Sequence, residues 1–118
     1  MPVTVHGIPN CDTVKKARTW LDGHGIAYTF HDYKKQGVPL PQLDGWIRQL
    51  GWERLLNRKG TAWRQLDAAV RAGVADAAGA RRVMLAQPSV IKRPVAEWPD
   101  GSVTVGFDPQ DWARRAGR

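Results

Sequence analysis

Apolar and polar residues change their spacing several times along the chain, and each change marks an element. Val3 and Val5 alternate with Thr4 and His6 before the run stops at Gly7 and Pro9, which predicts a buried first strand over Val3 to His6. Val14, Ala17, Trp20 and Leu21 then recur at helical spacing, with Asp12 placed to pair with Lys15 or Lys16 and "DGHG" supplying a glycine stop. Alternation returns in "IAYTFHDY", a second strand from Ile26 to Tyr33, and "KKQGVPLP" follows as a loop.

From Pro41 the period is helical for a long stretch. "QLDGWIRQLG", "WRQLDAAVRAG" and "VADAAGARRVMLAQ" predict three helices joined by short turns. "PSVIKRPVAEW" and "SVTVGF" then predict an extended run and a closing strand, with Asp100-Gly101 as the turn between them. Asp108 and Pro109 open a last helix as its N-cap and first helical residue. The order is β-α-β, helical insert, β-β-α, an α/β fold with one antiparallel hairpin. No internal repeat interrupts it.

Composition narrows the class. A chain of 118 residues with 42% hydrophobic and 25% charged residues suits one compact domain. At that length folding buries roughly two thirds of the surface of the unfolded chain. No apolar run approaches the roughly 20 residues of a membrane-spanning helix, and "MPVTVHGIPN" lacks the basic start and apolar stretch of a signal peptide. A single cysteine forms no internal disulfide, so a cytoplasmic setting is expected.

The net charge of +7 suits nucleic acid and small anions alike. The basic residues are scattered, with no aromatic-interleaved stripe, which favours a solvated surface with one anion pocket over nucleic-acid binding. His6, His24 and His31 show no metal-ligand spacing, so no metal site is expected. His6 and His31 are expected on adjacent strand ends in a structural role.

Cys11 is the residue that invites chemistry. It follows "GIPN" where the first strand ends and the first helix begins. Unpaired backbone N–H groups and the positive end of the helix dipole meet there, and both favour a thiolate. Lowering a thiol pKa from ~8.5 to ~6 raises the ionised fraction at neutral pH from about 3% to about 90%, a gain of about 30-fold in nucleophile. A buried, inert cysteine is the competing reading. Its neighbours Asn10, Asp12 and Thr13 are turn and cap residues rather than core, which argues for a reactive thiol. Val14 at the third position after Cys11 leaves no C-x-x-C pair, so a disulfide formed in turnover involves an outside thiol.

"HGIPNCDTVKKARTWL", "FHDY", "GWERLLNRKGTAWRQL", "PSVIKRPV" and "VGF" occur in this order over nearly the whole chain. Together they resemble the arsenate reductase ArsC/Spx family, in its YffB-type branch. The resemblance implies a thioredoxin-like (glutaredoxin-like) mixed β-sheet in a single domain over 1–118, with residues 1–40 and 88–118 as the core and 41–87 as a helical insertion. It implies that Cys11 is the nucleophile, that Pro94 is a cis-proline facing it, and that Arg93 stands beside it. Arg58, or Lys59 one position on, would line the site, and Lys15 or Thr13 would touch an anion. Asn10, Asp12 and Thr13 would shape the helix start.

The implied activity is a thiol reductase that uses glutathione as co-substrate, possessing no bound cofactor, with glutaredoxin as a candidate partner and a monomer as the expected state. The alternative is an Spx-like regulator that binds the RNA polymerase α-subunit. Two departures separate the chain from glutaredoxin-coupled arsenate reductases: their histidine four residues before the cysteine and a third arginine correspond to Gly7 and Gly106. Arsenate is therefore a doubtful substrate. Trp63 is expected to anchor the inserted helices.

Overall fold

The computed structural model describes residues 3–117. In chain order it contains β1 (Val3–Gly7), α1 (Asp12–Gly23), β2 (Tyr28–Asp32), α2 (Tyr33–Gln36), α3 (Leu40–Leu50), α4 (Trp52–Leu55), α5 (Thr61–Arg64), α6 (Ala68–Ala72) and α7 (Ala77–Ala86). A 3₁₀ turn over Pro88–Val90, β3 (Val95–Glu97), β4 (Val103–Val105) and α8 (Pro109–Arg115) complete it. Two compact units emerge: residues up to Lys35 together with those from Arg93 onward, and Gln36–Lys92.

The first unit holds a four-stranded sheet in the order β2-β1-β3-β4. β1 and β2 are parallel, with Val3 beside Tyr28 and His6 beside His31. This pairing requires the crossover that α1 provides. β3 runs antiparallel to β1, setting Val5 against Ala96, and β4 closes the hairpin with Val95 against Val105. The hairpin turns through Gly101, whose φ of 87° lies in the left-handed region where glycine carries no Cβ penalty. This is the thioredoxin-like mixed sheet with flanking helices.

α1 forms because Val14, Ala17 and Leu21 make one buried stripe on an otherwise polar helix. Ala17 and Leu21 pack with Val3, Val5, Ala96, Trp98 and Trp112, while Trp20 and Phe107 lie against the edge of this cluster. Trp112 meets Trp98 and Phe107 edge to face, at 5.1 and 4.9 Å between ring centroids. Leu21 is fully buried, so truncation to alanine would cost about 3 kcal/mol. The consequence for the site is mechanical: a rigid helix is fixed with its first turn at the end of β1.

The second unit is helical. Leu43, Trp46, Leu55, Leu56, Ala80, Met84, Val90 and Ile91 are its buried apolar residues. Arg81 Nε donates to Asp44 Oδ1 at 2.6 Å and ties α7 to α3. Asp76 caps α7 by accepting from Gly79 N at 2.9 Å. No helix among the described residues is long and apolar enough to cross a membrane.

The element order matches the pattern of the sequence, and the local differences have physical causes. β2 starts at Tyr28 rather than Ile26, because Ile26 N is used in the α1 stop, donating to Leu21 O at 3.0 Å. β2 also ends at Asp32, whose Oδ1 accepts from Lys34 N at 2.9 Å and turns the chain into α2, where a loop was expected. The three expected inserted helices are five: α4 is additional, and "WRQLDAAVRAG" is broken at Leu66-Asp67. The run from Pro88 opens with a 3₁₀ turn before it extends. Trp63 is only half-buried, and the fully buried tryptophan of the insertion is Trp46.

Candidate active site

Cys11 is the N-cap of α1. Its φ and ψ of −132° and 125° are extended, and its carbonyl accepts the first intrahelical bond from Lys15 N at 2.9 Å. Its sulfur therefore lies over the open end of the helix. It closes no cap hydrogen bond of ordinary geometry. The N–H groups of Val14 and Thr13 are nonetheless placed to stabilise a thiolate there, as is the Arg93 guanidinium.

Cys11 is half-buried. Partial burial by itself pushes its pKa up. The Val14 N–H, the Arg93 hydrogen bond and charge, and the Thr13 N–H together outweigh that penalty, and the net shift is downward. A thiol that is both reachable and biased towards its anion is the form of cysteine that attacks sulfur.

Gly7 makes this junction possible. A Cβ at position 7 would stand 3.0 Å from Val14 Cγ2, so a side chain there would require the Val14 side chain to give way by a few tenths of an ångström. Val14 itself is fully buried, facing inward from the same turn.

Arg93 enters from the start of the β3 segment, and the Arg93–Pro94 peptide is cis. Its Nε is shielded from solvent. Next to it lies a polar cluster on one face of the sheet. His6 Nε2 contacts Glu97 Oε1 at 2.6 Å, with the carboxylate as acceptor. His31 stands 5.0 Å from His6 between ring centroids, and Tyr33 stacks on His6 at 6.4 Å with 24° between planes. Burial pushes the Tyr33 phenol far above its usual range, with Arg93 acting against that shift and Glu97 adding to it. This phenol stays neutral.

The remaining expected residues have definite places. Lys15 Nζ donates to Asn10 Oδ1 at 3.5 Å rather than to Asp12, and so ties the approach loop to the first turn. Asp12 is exposed in that turn, where a carboxylate complements the helix dipole. Thr13 contributes its backbone N–H. Arg58 belongs to the second unit, pairs with Glu53 at 3.7 Å and lies over the Trp52 ring at 5.5 Å. Lys59 N donates to Asn57 Oδ1 at 3.3 Å in the same turn.

Glu97, which holds His6, and Tyr33, which feels the charges of both Arg93 and Glu97, were not foreseen. Glu97 left no signal, because its partner His6 is 91 residues away in sequence. Tyr33 did leave one: it ends the alternating run of β2 out of strand phase.

The ArsC family profile matches residues 6–115, which include Cys11, Arg93 and the whole sheet except its first residues. The chain belongs to the ArsC family. It is 41% identical over 110 residues to an uncharacterized protein of Haemophilus influenzae, covering 93% of this chain and 95% of that one. The solved structure of the YFFB protein is 50% identical with a TM-score of 0.91, over 97% of this chain and 98% of that one. An arsenate reductase (ArsC) related protein from Brucella melitensis is 56% identical with a TM-score of 0.75, over 97% and 93% of the two chains.

Within this arsenate reductase-like fold the two glycine departures are built into the backbone. Position 7 has no room for a side chain without moving Val14. Gly106 has a φ of 79° and donates to Pro94 O at 2.9 Å, a left-handed conformation that costs a side-chain-bearing residue about 1–2 kcal/mol.

Proposed function

We propose that this ArsC-family protein is a glutathione-dependent thiol reductase with Cys11 as its nucleophile. The observation that carries the reading is the Cys11 sulfur at the start of α1, lowered in pKa by helix N–H groups and by Arg93 against the cost of its partial burial. The thiolate attacks one sulfur of a disulfide R–S–S–R′. The Cys11–S–S–R bond forms as the original bond breaks, and R′–S⁻ leaves and takes a proton from water. A glutathione thiolate then attacks the R sulfur of the adduct. This gives glutathionyl-S–S–R and returns Cys11 as the thiolate. Arg93 stabilises that anion at the start and again as it departs.

Glutathione is itself anionic, and Arg93 and Lys15 are the cations assigned to hold it. Two rigid glycines occupy the positions where glutaredoxin-coupled arsenate reductases carry a histidine and a third arginine. That disfavours a compact oxyanion such as arsenate and favours disulfide sulfur. Glutaredoxin is a candidate for the later reduction of the mixed disulfide product.

The test is incubation with oxidised glutathione followed by mass spectrometry. Wild type should gain one glutathionyl group and Cys11→Ser none. An unmodified wild type, or a polymerase α-subunit interaction that survives Cys11→Ser with no thiol turnover, would favour the regulatory reading instead.

A further inference from the structure

The helical unit carries a surface that its own core does not use. α6 (Ala68–Ala72) has no buried residue, although its sequence "AAVRA" is mostly apolar. A five-residue helix does not persist in water on propensity alone, so something other than core packing holds it. Arg71 is one brace: its Nη1 donates to Arg64 O at 2.8 Å and to Leu66 O at 2.7 Å, tying α6 to the turn before it. Gly79 is the other. A Cβ there would stand 2.7 Å from Gly73 O, and its absence lets the end of α6 rest on the first turn of α7.

The two helices thereby enclose a groove of about 310 Å³. One wall is the Gly79, Arg82, Val83 and Ala86 face of α7, and the other includes Ala69 and Val70 of α6. The α7 residues follow helical spacing over two turns, about 10 Å of wall. Val70, at 42% exposed, is one of two large apolar residues open to solvent among the described residues. An apolar groove held in shape by polar braces, rather than closed by packing, has the form of an interaction site.

Charge and size decide what fits it. Among the described residues Arg82 is the one charged group lining the groove, and it makes no ion pair there, whereas its neighbour Arg81 is taken by Asp44. A second copy of this chain is a poor occupant, because each copy brings a net charge of +7. A small ligand fits little better. The groove is at the lower limit of the roughly 300–1,000 Å³ of such sites, and Ala69, Val70 and Ala86 leave its rim open. Two turns of apolar wall beside an unpaired cation match another helix, apolar along one side and acidic next to it.

We infer that the α6–α7 groove docks an acidic amphipathic helix of a partner protein. The partner lays apolar residues at helical spacing against Val70 and Val83 and sets a carboxylate against Arg82. No residue of the Cys11 site takes part, so docking is independent of the reductase chemistry.

Three synthetic peptides of about 14 residues test this against the full-length protein. One carries leucines at helical spacing flanked by glutamates, the second has lysines in place of the glutamates, and the third scrambles the first. Methyl resonances of Val70 and Val83 report binding. The acidic helix should shift both and saturate, and the other two should not. Val70→Asp, a change at an exposed position, should keep the wild-type urea midpoint and weaken binding about tenfold or more, the scale of one lost valine contact. Arg82→Glu should weaken the acidic helix severalfold and admit the lysine helix.

Unmoved resonances at millimolar acidic peptide overturn the inference, as does equal binding of all three peptides. Binding unchanged in Arg82→Glu removes the acidic partner. Self-association of the wild type that Val70→Asp abolishes would make a second copy the occupant instead. Should Val70→Asp fail to fold, the exchange of peptide preference in Arg82→Glu decides.

Discussion

Two helices of the sheet-bearing unit begin alike and serve different ends. Asp108 before α8 and Cys11 before α1 have nearly the same extended backbone, with φ and ψ of −124° and 103° against −132° and 125°. Asp108 Oδ1 accepts from Gln110 N at 3.1 Å and from Asp111 N at 3.4 Å, so the first N–H groups of α8 are satisfied. At α1 the cap atom is a sulfur that closes no such bond, and the open N–H groups act instead to hold its negative charge. The same helix end thus yields stability where an oxygen occupies it and nucleophilicity where a thiol does. Arg93 supplies the second half of the difference, since α1 has this cation over its start.

Exchanging the two caps is the harshest way to break the comparison. Cys11→Asp should lose disulfide turnover by on the order of a thousandfold or more, because the attacking atom is gone. The same variant should gain about 1 kcal/mol in urea unfolding, because a carboxylate is a far better N-cap than a thiol. A Cys11→Asp protein that gains nothing would show that the start of α1 is not an ordinary cap site.

Removing the cation sharpens the second half. Arg93→Met should raise the Cys11 pKa and so slow iodoacetamide alkylation severalfold at pH values below both pKa values. Asp108→Ala is the matching change at α8. It should cost about 1 kcal/mol, or about 4 °C in the thermal midpoint, and leave the alkylation profile where it was.

The smallest effect is a pH dependence of stability. The folded-state pKa of Cys11 lies below that of the unfolded chain, so the folded state binds fewer protons between the two values. Stability from this group therefore rises as the pH climbs through the lowered folded value, and is fully present above ~8.5, the unfolded value. It is lost as the pH falls through the folded value. Urea titrations of wild type and Cys11→Ser across that window should diverge upward with pH, and parallel curves would contradict the shift.

How much of this was legible in the sequence follows from how local each cause is. β1, α1 and the Asp108-Pro109 start of α8 rest on neighbouring residues, and the sequence pattern and the structure agree on them to within a residue or two. The insertion was legible as helical but not in its breaks, since Gly51 closes α3 and opens α4, and Asp67 opens α6, through turns that apolar spacing does not register. Trp63 and Trp46 look equally suited to anchor it, and only packing tells them apart. At the site, Cys11 and Arg93 carried local signals in "NCDT" and "KRP". The His6–Glu97 contact is made by pairing β1 with β3, segments some 90 residues apart in number, and short-range patterns carry no record of that.

The most direct measurement is the pH dependence of Cys11 alkylation by iodoacetamide in the wild-type protein. An activated N-cap thiolate predicts a midpoint clearly below ~8.5, moving up in Arg93→Met. A wild-type midpoint at or above ~8.5, unmoved by loss of Arg93, would contradict the account.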